Sequence, residues 1–256
     1  MKDKPLRPED EPLRLEDVGC AFGAVLVFDH LTLDISEGEF VAVVGPSGCG
    51  KTTLLNLLSG FIKPTSGRLL SQGRVRMVYQ QDGLFPWQTL AQNISLGLRH
   101  VKDEAERERQ LGEMLSLINL EKFADHYPHQ LSGGMRQRAE LARALAGDTD
   151  ILLLDEPFSA LDYLTRLRLR REFARMLYEL PRTVVLVTHD IEEAAQLADR
   201  VVVLSDRPAT IRRELKMDLP RPRDPTHTIV VDAVHRILTE LGLEQDNKVI
   251  SQESRV

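Results

Sequence analysis

The chain has 256 residues, enough to bury a substantial core as one large domain or as one domain with a lobe. Charged residues make up 28% of it and the formal net charge is −6, so bulk electrostatics give no support for nucleic-acid binding. Its two cysteines, Cys20 and Cys49, lie far apart and offer neither a metal pattern nor a disulfide framework, which fits a reducing compartment. The charged, proline-punctuated start Met1-Lys2-Asp3-Lys4-Pro5 has no apolar signal core. No apolar run approaches the ~20 residues of a membrane-spanning helix. The expectation is a cytosolic protein whose membrane role, if it has one, comes through a partner.

Residues 1 to about 12 read as a loose polar tail. From Leu13 to Ser36 short strands are expected, with Val25-Leu26-Val27-Phe28 and Leu31-Thr32-Leu33-Asp34-Ile35 forming an antiparallel sheet. Phe40-Val41-Ala42-Val43-Val44 is a continuous apolar run that reads as a buried parallel strand, and it stops at Gly45. Beyond Lys51 the positions Leu54, Leu55, Leu57 and Leu58 recur at helical spacing, so a helix starts near the lysine. Val75-Arg76-Met77-Val78-Tyr79, Ile151-Leu152-Leu153-Leu154, Val184-Val185-Leu186-Val187 and Val201-Val202-Val203-Leu204 read as further strands. The last three are separated by helical segments, the pattern of a parallel sheet with crossovers. Between Asp82 and Gly147 no valine-rich strand occurs, and residues 104–120 are charged and then apolar at helical intervals, so a helical lobe is inserted at about 83–147. Arg166, Arg168, Arg170 and Arg171 cluster among acidic neighbours and read as a solvated helix face. From about Asp218, Leu219-Pro220-Arg221-Pro222-Arg223 forms an extended link into a last helix around Ile229 to Leu241.

Gly45-Pro46-Ser47-Gly48-Cys49-Gly50-Lys51-Thr52-Thr53 joins the apolar strand to the helix. Its glycines let backbone N–H groups turn inward, where helix-terminal amides and the helix dipole favour anionic oxygens. Lys51 adds a point charge that can reach β- and γ-phosphates, and the Thr52 hydroxyl can take a Mg²⁺ position. The competing reading, a glycine-rich turn ending by chance in Lys-Thr, is weakened by the strand-to-helix context. Cys49 reads as a small filler rather than a nucleophile, because a phosphate-binding loop needs no thiol.

Ile151-Leu152-Leu153-Leu154-Asp155-Glu156-Pro157 ends four apolar residues in two carboxylates. A buried strand ending in Asp delivers that carboxylate to the carboxyl edge of a parallel sheet, beside the phosphate loop. Asp155 can then hold Mg²⁺, directly or through water, and Glu156 can accept a proton from, or orient, a water attacking the γ-phosphate. Taken alone, the stretch also suits an ordinary strand with an acidic turn. Val187-Thr188-His189-Asp190 ends another apolar strand in a histidine. A lone His at a strand end is more often structural, but at this sheet edge it reads as a γ-phosphate contact that distinguishes ATP from ADP. In Leu131-Ser132-Gly133-Gly134-Met135-Arg136-Gln137-Arg138, Ser132 is a good N-cap and the two glycines bare backbone amides ahead of a helix running to about Ala146. By itself this stretch is either a capped helix or a second anion site.

Together, residues 45–53, Gln80, residues 131–137, residues 151–157, Ser159-Ala160-Leu161-Asp162 and His189 resemble the full motif series of an ABC transporter ATPase subunit, in order and spacing from about Leu13 to Leu204. The resemblance implies an α/β fold: a P-loop NTPase (RecA-like) core with an N-terminal antiparallel β subdomain and an inserted α-helical subdomain. The cassette would span residues 13–217, with residues 218–256 as a C-terminal link and helix. The resemblance also implies ATP and Mg²⁺ as ligands and a role for each matching position. Phe22 would stack on adenine. Gly45, Pro46, Ser47, Gly48, Cys49, Gly50, Lys51, Thr52 and Thr53 would hold the phosphates. Thr52, Gln80 and Asp155 would hold the metal, Gln80 also touching the lytic water and sensing a membrane subunit. Glu156 would be the catalytic carboxylate and His189 the switch. Ser132, Gly133 and Gly134 would complete the ATP site of an opposite protomer, and Asp162 would communicate across the dimer. Met135 stands where the family's signature usually has Gln. The passage from Gly67 to Val75 is shorter than in many relatives, so a trimmed sheet is expected there.

The resemblance further implies a head-to-tail homodimer, or a heterodimer with a related cassette. The pair would bind transmembrane permease subunits at the cytoplasmic face of the inner membrane. An extracytoplasmic solute-binding protein would belong to the same system, and nucleic acid would not. Tyr79-Gln80-Gln81-Asp82-Gly83-Leu84-Phe85-Pro86-Trp87, with the Leu-Pro-Arg-Pro-Arg stretch, resembles the nitrate/sulfonate/taurine importer branch, which favours import of a small oxyanion or an organic sulfonate. Trp87, the only tryptophan, would sit near the groove that receives the permease; packing of the lobe is its other reading. The lack of a large C-terminal extension argues against an added regulatory domain. Three other readings remain. One is a cassette of another importer or exporter branch. A second is an ABC ATPase acting on nucleic acid or ribosomes, against which the compact lobe, single cassette, isolated cysteines and acidic balance weigh. The third is a non-ABC P-loop kinase, which leaves residues 131–138 and His189 without a role.

Overall fold

The computed structural model describes residues 12–80, 83–159 and 161–243. The tail expected over residues 1–12 lies outside them apart from Pro12, as do Gln81, Asp82, Ala160 and residues 244–256. Along the chain the elements are β1 (Leu13–Phe22), β2 (Val25–Ile35), β3 (Phe40–Val44), α1 (Lys51–Leu58), β4 (Ser66–Ser71), β5 (Val75–Val78), α2 (Leu90–Ser95), α3 (Glu104–Leu117) and α4 (Gly133–Leu145). They continue with β6 (Ile151–Asp155), α5 (Tyr163–Glu179), β7 (Thr183–Val187), α6 (Ile191–Leu197), β8 (Arg200–Leu204), β9 (Ile211–Lys216) and α7 (Thr228–Glu240). Two compact units emerge from the packing. One holds residues 12–13, 35–39 and 71–185, and the other residues 14–34, 40–70 and 186–243.

In the first unit β5, β6 and β7 follow in that order, β5 and β6 parallel with Val75 opposite Ile151 and Val78 opposite Leu154. Every residue of β6 and β7 is buried. A parallel strand covered on both faces has no polar side, which is why both read as unbroken apolar runs. Helices α2, α3 and α4 lie between β5 and β6 in the chain. Each begins on a side-chain cap: Thr89 for α2, Asp103 for α3 and Ser132 for α4. The arginine cluster on α5 needs a correction. Arg168 and Arg171 are exposed, but Arg170 is only 2% exposed. It stands three and four residues before the buried Phe173 and Ala174, so helical periodicity turns it inward.

In the second unit β3 and β8 pair in parallel, Val41 opposite Arg200 and Val44 opposite Val203, and β9 adds antiparallel to β8. No strand signal marks β9 in the sequence. Ile211-Arg212-Arg213-Glu214-Leu215-Lys216 buries only Leu215, and a mostly solvated strand shows little alternation. A separate sheet has the order β2-β1-β4. The two short strands expected on either side of Asp29-His30 are one strand, β2. His30 takes φ 53 and Asp17 on β1 takes φ 51, and the histidine Nδ1 meets the Asp17 carboxylate at 2.6 Å. The polar pair between the two expected strands is thus an irregularity inside a continuing strand. β4 occupies part of the passage where a trimmed sheet was expected, and supplies a third strand. At the C-terminal side Val230 and Ala233 of α7 pack with Ala195 of α6 and Met217. No helix among the described residues is long and apolar enough to cross a membrane.

Candidate nucleotide site

In the second unit β3 delivers the chain to Gly45 and α1 takes it up at Lys51. Between them, Gly50 has φ 121, and a Cβ on it would lie 2.5 Å from Val27 Cγ1, so β2 packs directly against the loop. Gly50 is also the N-cap of α1, which therefore has no side-chain cap. Amides at the start of a helix are the groups that favour an anion. Lys51 is largely buried, with Nζ donating to Gly45 O at 2.9 Å and to Pro46 O at 3.0 Å. Two neutral carbonyls hold the ammonium at the loop, and an anionic phosphate oxygen makes a stronger acceptor than either. Thr52 is exposed and Thr53 half-buried. Cys49 is buried, and burial pushes its thiol pKa up against a smaller opposing pull from Lys51, in keeping with a filler.

The same unit holds Phe22 and His189. Phe22 closes β1 and is 52% exposed. Thr188 N donates to Val43 O at 3.2 Å, so the chain leaves the sheet for His189 beside the end of β3. The histidine's neighbours are both anchored. Thr188 Oγ1 donates to the Glu193 carboxylate at 2.6 Å, and Asp190 caps α6 by accepting from Glu193 N at 3.0 Å. Arg207, in the loop after β8, carries no motif signal. Its Nη2 would lie 3.2 Å from a Cβ placed on Gly48.

The first unit holds Gln80, Asp155, Glu156, Ser132, Gly133, Gly134 and Asp162. Asp155 ends β6 largely buried, and Glu156 turns the chain at φ 47. A non-glycine residue in that region is strained and needs its surroundings to hold it. Ser159 does so: its N and its Oγ both donate to Glu156 O, at 3.2 and 3.0 Å. Gln80 Nε2 donates to the same Ser159 Oγ at 3.2 Å. Gln80 and the Glu156 turn are thereby joined through a serine to which the sequence assigned no separate role.

At the start of α4, Ser132 Oγ accepts from Met135 N at 3.3 Å, which leaves its hydroxyl hydrogen to donate elsewhere. A Cβ on Gly133 would meet nothing nearer than 3.7 Å, whereas one on Gly134 would lie 2.9 Å from Thr165 Cγ2. Asp162 caps α5 through Thr165 N at 3.1 Å, and hydrogen bonds from Thr165 hold its carboxyl below the usual range. The starts of α4 and α5 therefore lie side by side. Trp87 is 70% exposed, so it does not pack the lobe; its ring leans on Phe85 at 5.4 Å. That turn is tied from within by Asn93, which is fully buried. Its Oδ1 accepts from Phe85 N at 2.8 Å, and its Nδ2 donates to the carbonyls of Phe85, Gln88 and Thr89. The one trace of Asn93 in the sequence is a polar residue at an inward position of α2, between Leu90 and Ile94. A cavity of about 920 Å³ in this unit, lined by Glu37, Arg109, Asp148, Asp150 and Arg182 among others, contains none of the expected site residues.

The family model described as ABC transporter matches residues 28–159, just over half of the chain. The chain belongs to the ABC transporter family. This ABC ATPase is 46% identical over 232 residues to the aliphatic sulfonates import ATP-binding protein SsuB of Granulibacter bethesdensis, covering 90% of this chain and 94% of that protein. It is 44% identical over 213 residues to the nitrate import ATP-binding protein NrtC of Synechococcus elongatus, covering 78% of this chain and 32% of that longer one. Among solved structures it is similar to dimeric MJ0796, a bacterial ABC transporter cassette, at a TM-score of 0.69 and 34% identity over 81% of this chain and 100% of that one. The same cassette is also known in a post-hydrolysis state bound to ADP and Pi. The ABC ATPase thus has the α/β P-loop NTPase fold and is an ATP hydrolase.

Proposed function

We propose that this ABC ATPase is the ATP-hydrolysing subunit of an importer for a small oxyanion or an organic sulfonate. It would work as a dimer on transmembrane permease subunits at the cytoplasmic face of the inner membrane, with an extracytoplasmic solute-binding protein delivering the solute. The observation that carries this reading is the agreement between two relatives, at 44% and 46% identity, named for nitrate and for aliphatic sulfonate import. The exposed Trp87 turn, held rigid by Asn93, supports it as a surface fit for a permease contact. In this reading residues 13–217 form the cassette, residues 83–147 its helical subdomain, and residues 218–256 the link and C-terminal helix.

The parts have distinct tasks. Phe22 stacks on adenine, and residues 45–53 hold the phosphates through backbone amides and the Lys51 ammonium. Glu156 accepts a proton from, or orients, the water that attacks the γ-phosphate, and Gln80 helps to place that water. His189 donates to the γ-phosphate and responds to its loss. Ser132, Gly133 and Gly134 of the other protomer complete the site, and Asp162 links the two. The Thr52 hydroxyl, the Gln80 amide oxygen and the buried Asp155 carboxylate are hard oxygen donors of the kind Mg²⁺ prefers, and the cation would neutralise phosphate charge when bound. Once the γ-phosphate leaves, the charge that bridges the protomers is gone and the dimer can open.

In the complex purified with its membrane partner, ATP turnover should rise when the receptor is loaded with solute. Glu156→Gln should lower turnover by about 10²–10⁴-fold, the range of a lost general base, while ATP still binds. Unchanged turnover in that variant removes Glu156 from catalysis. Co-purification with nucleic acid or ribosomes in place of a hydrophobic permease overturns the importer.

A further inference from the structure

Between β9 and α7 the chain runs through Leu219-Pro220-Arg221-Pro222-Arg223, and both arginines turn back onto the unit that carries the phosphate loop. Arg223 is 6% exposed. Its Nε donates to Leu219 O at 2.7 Å, which folds the stretch on itself. Its Nη1 donates to Ala198 O at 2.6 Å and to Gln196 O at 3.3 Å, at the carboxyl end of α6. Carbonyls at that end have no partner within the helix and carry the negative pole of its dipole, so a guanidinium is their natural cap. Arg223 Nη2 also lies 3.7 Å from Asp199 Oδ1.

Asp199 is the second anchor. Arg221 Nη2 donates to its Oδ2 at 3.1 Å, and the Arg221 guanidinium stands 5.3 Å from the Phe40 ring. The same Oδ2 accepts from Phe40 N at 3.0 Å, and Asp199 N donates to Phe40 O at 2.7 Å. One aspartate thus ties the first residue of β3 to the two arginines. A buried guanidinium is a costly way to attach a strap, since well-packed apolar side chains do so without desolvating a charge. The Val230–Ala195 contact nearby is of that cheaper kind. What the arginine adds is direction: it fixes the end of α6 to particular carbonyls.

α6 has seven residues, so it is roughly 10 Å long at a rise of about 1.5 Å per residue, too short to absorb a displacement by bending. Its other end supports His189 through the Asp190 cap and the Thr188–Glu193 hydrogen bond. We propose that Arg223, braced by Asp199 and Arg221, is a positioning residue for His189: it clamps the far end of α6 and so sets where the histidine stands at the end of β3. This rests on His189 being the γ-phosphate contact.

A double-mutant cycle on the purified, membrane-partnered complex tests it, with kcat and KM for ATP measured for Arg223→Met, His189→Ala and the pair. Arg223→Met should lower kcat about 10-fold with KM within about 2-fold, the signature of an interaction felt in the transition state. In the His189→Ala background the same substitution should lower kcat no further, because both changes remove one interaction. Arg223→Lys, which keeps the charge but loses the fork, should be intermediate. Wild-type kcat in Arg223→Met, a change confined to KM, or an equal loss with and without His189 overturns the proposal. If Arg223→Met fails to fold, the cycle is run with Arg223→Lys, and additivity there overturns it equally. A fully active His189→Ala overturns the histidine's own role, and the positioning falls with it. A defective His189→Ala with additive arginine effects overturns the positioning alone.

Discussion

Helices α1 and α4 each have glycine at or just before their first residue, and they start differently. α1 has Gly50 as its N-cap, and no side chain caps its start. α4 has Ser132 as its N-cap, and Ser132 Oγ already takes the Met135 amide at 3.3 Å. The first suits an anion, since helix-terminal amides and the helix dipole favour negative charge there. The second is already satisfied as a helix and offers outward a hydroxyl hydrogen and the open face of Gly133. Glycine at a helix start therefore does two things here: at Gly50 it lets another strand approach the loop, and at Gly133 it leaves the space beside the helix start unfilled.

Breaking the first helix start should have the largest effect. Lys51→Ala should weaken ATP binding to the isolated chain about 10- to 100-fold, corresponding to the ~1.5–3 kcal/mol of a charge-assisted hydrogen bond, as read by titration calorimetry. Ser132→Ala should leave that isolated affinity within about 2-fold, yet lower turnover of the assembled complex about 10-fold, the ~1.4 kcal/mol of one lost hydrogen bond to an anion. Equal weakening of ATP binding in both isolated variants would erase the distinction between the two helix starts. The smallest effect separates the glycines of α4. Gly134→Ala should cost about 1–3 kcal/mol in denaturant unfolding, as overpacking against Thr165 does, whereas Gly133→Ala should stay within about 0.5 kcal/mol and show its defect only in turnover. A Gly133→Ala chain as unstable as Gly134→Ala would mean that the open face is not open.

Much of the fold was legible because its signals are local. β3, β6, β7 and β8 announce themselves as apolar runs since each is covered on both faces, and α1, α4 and α7 start within a few residues of where their periodicity places them. The reading failed where burial contradicts residue type or where a strand lies mostly in solvent. Arg170 is turned inward by the pitch of α5 although Arg168 and Arg171 of the same cluster are exposed. β9 shows too little alternation to be seen, and β2 continues through the polar pair Asp29-His30 that lay between two expected strands. The candidate site divides in the same way. Residues 45–53 and residues 131–138 are contiguous and could be read as chemistry, whereas Ser159, Asn93 and Arg223 act through partners that no motif spacing links to them.

The sequence by itself determined the glycine loop between β3 and α1 and the Ser132 start of α4, because a loop, a cap and the strand before it are all built from neighbours in the chain. Tertiary structure alone decided how those residues are held. Gln80 reaches Ser159 across 79 residues, and Phe40 meets Asp199 across 159. Arg223 reaches back 25 residues to the end of the helix that supports His189. Hydrogen bonds of that reach depend on which strands and helices become neighbours, and that is settled by packing of the whole core rather than by any stretch of the chain.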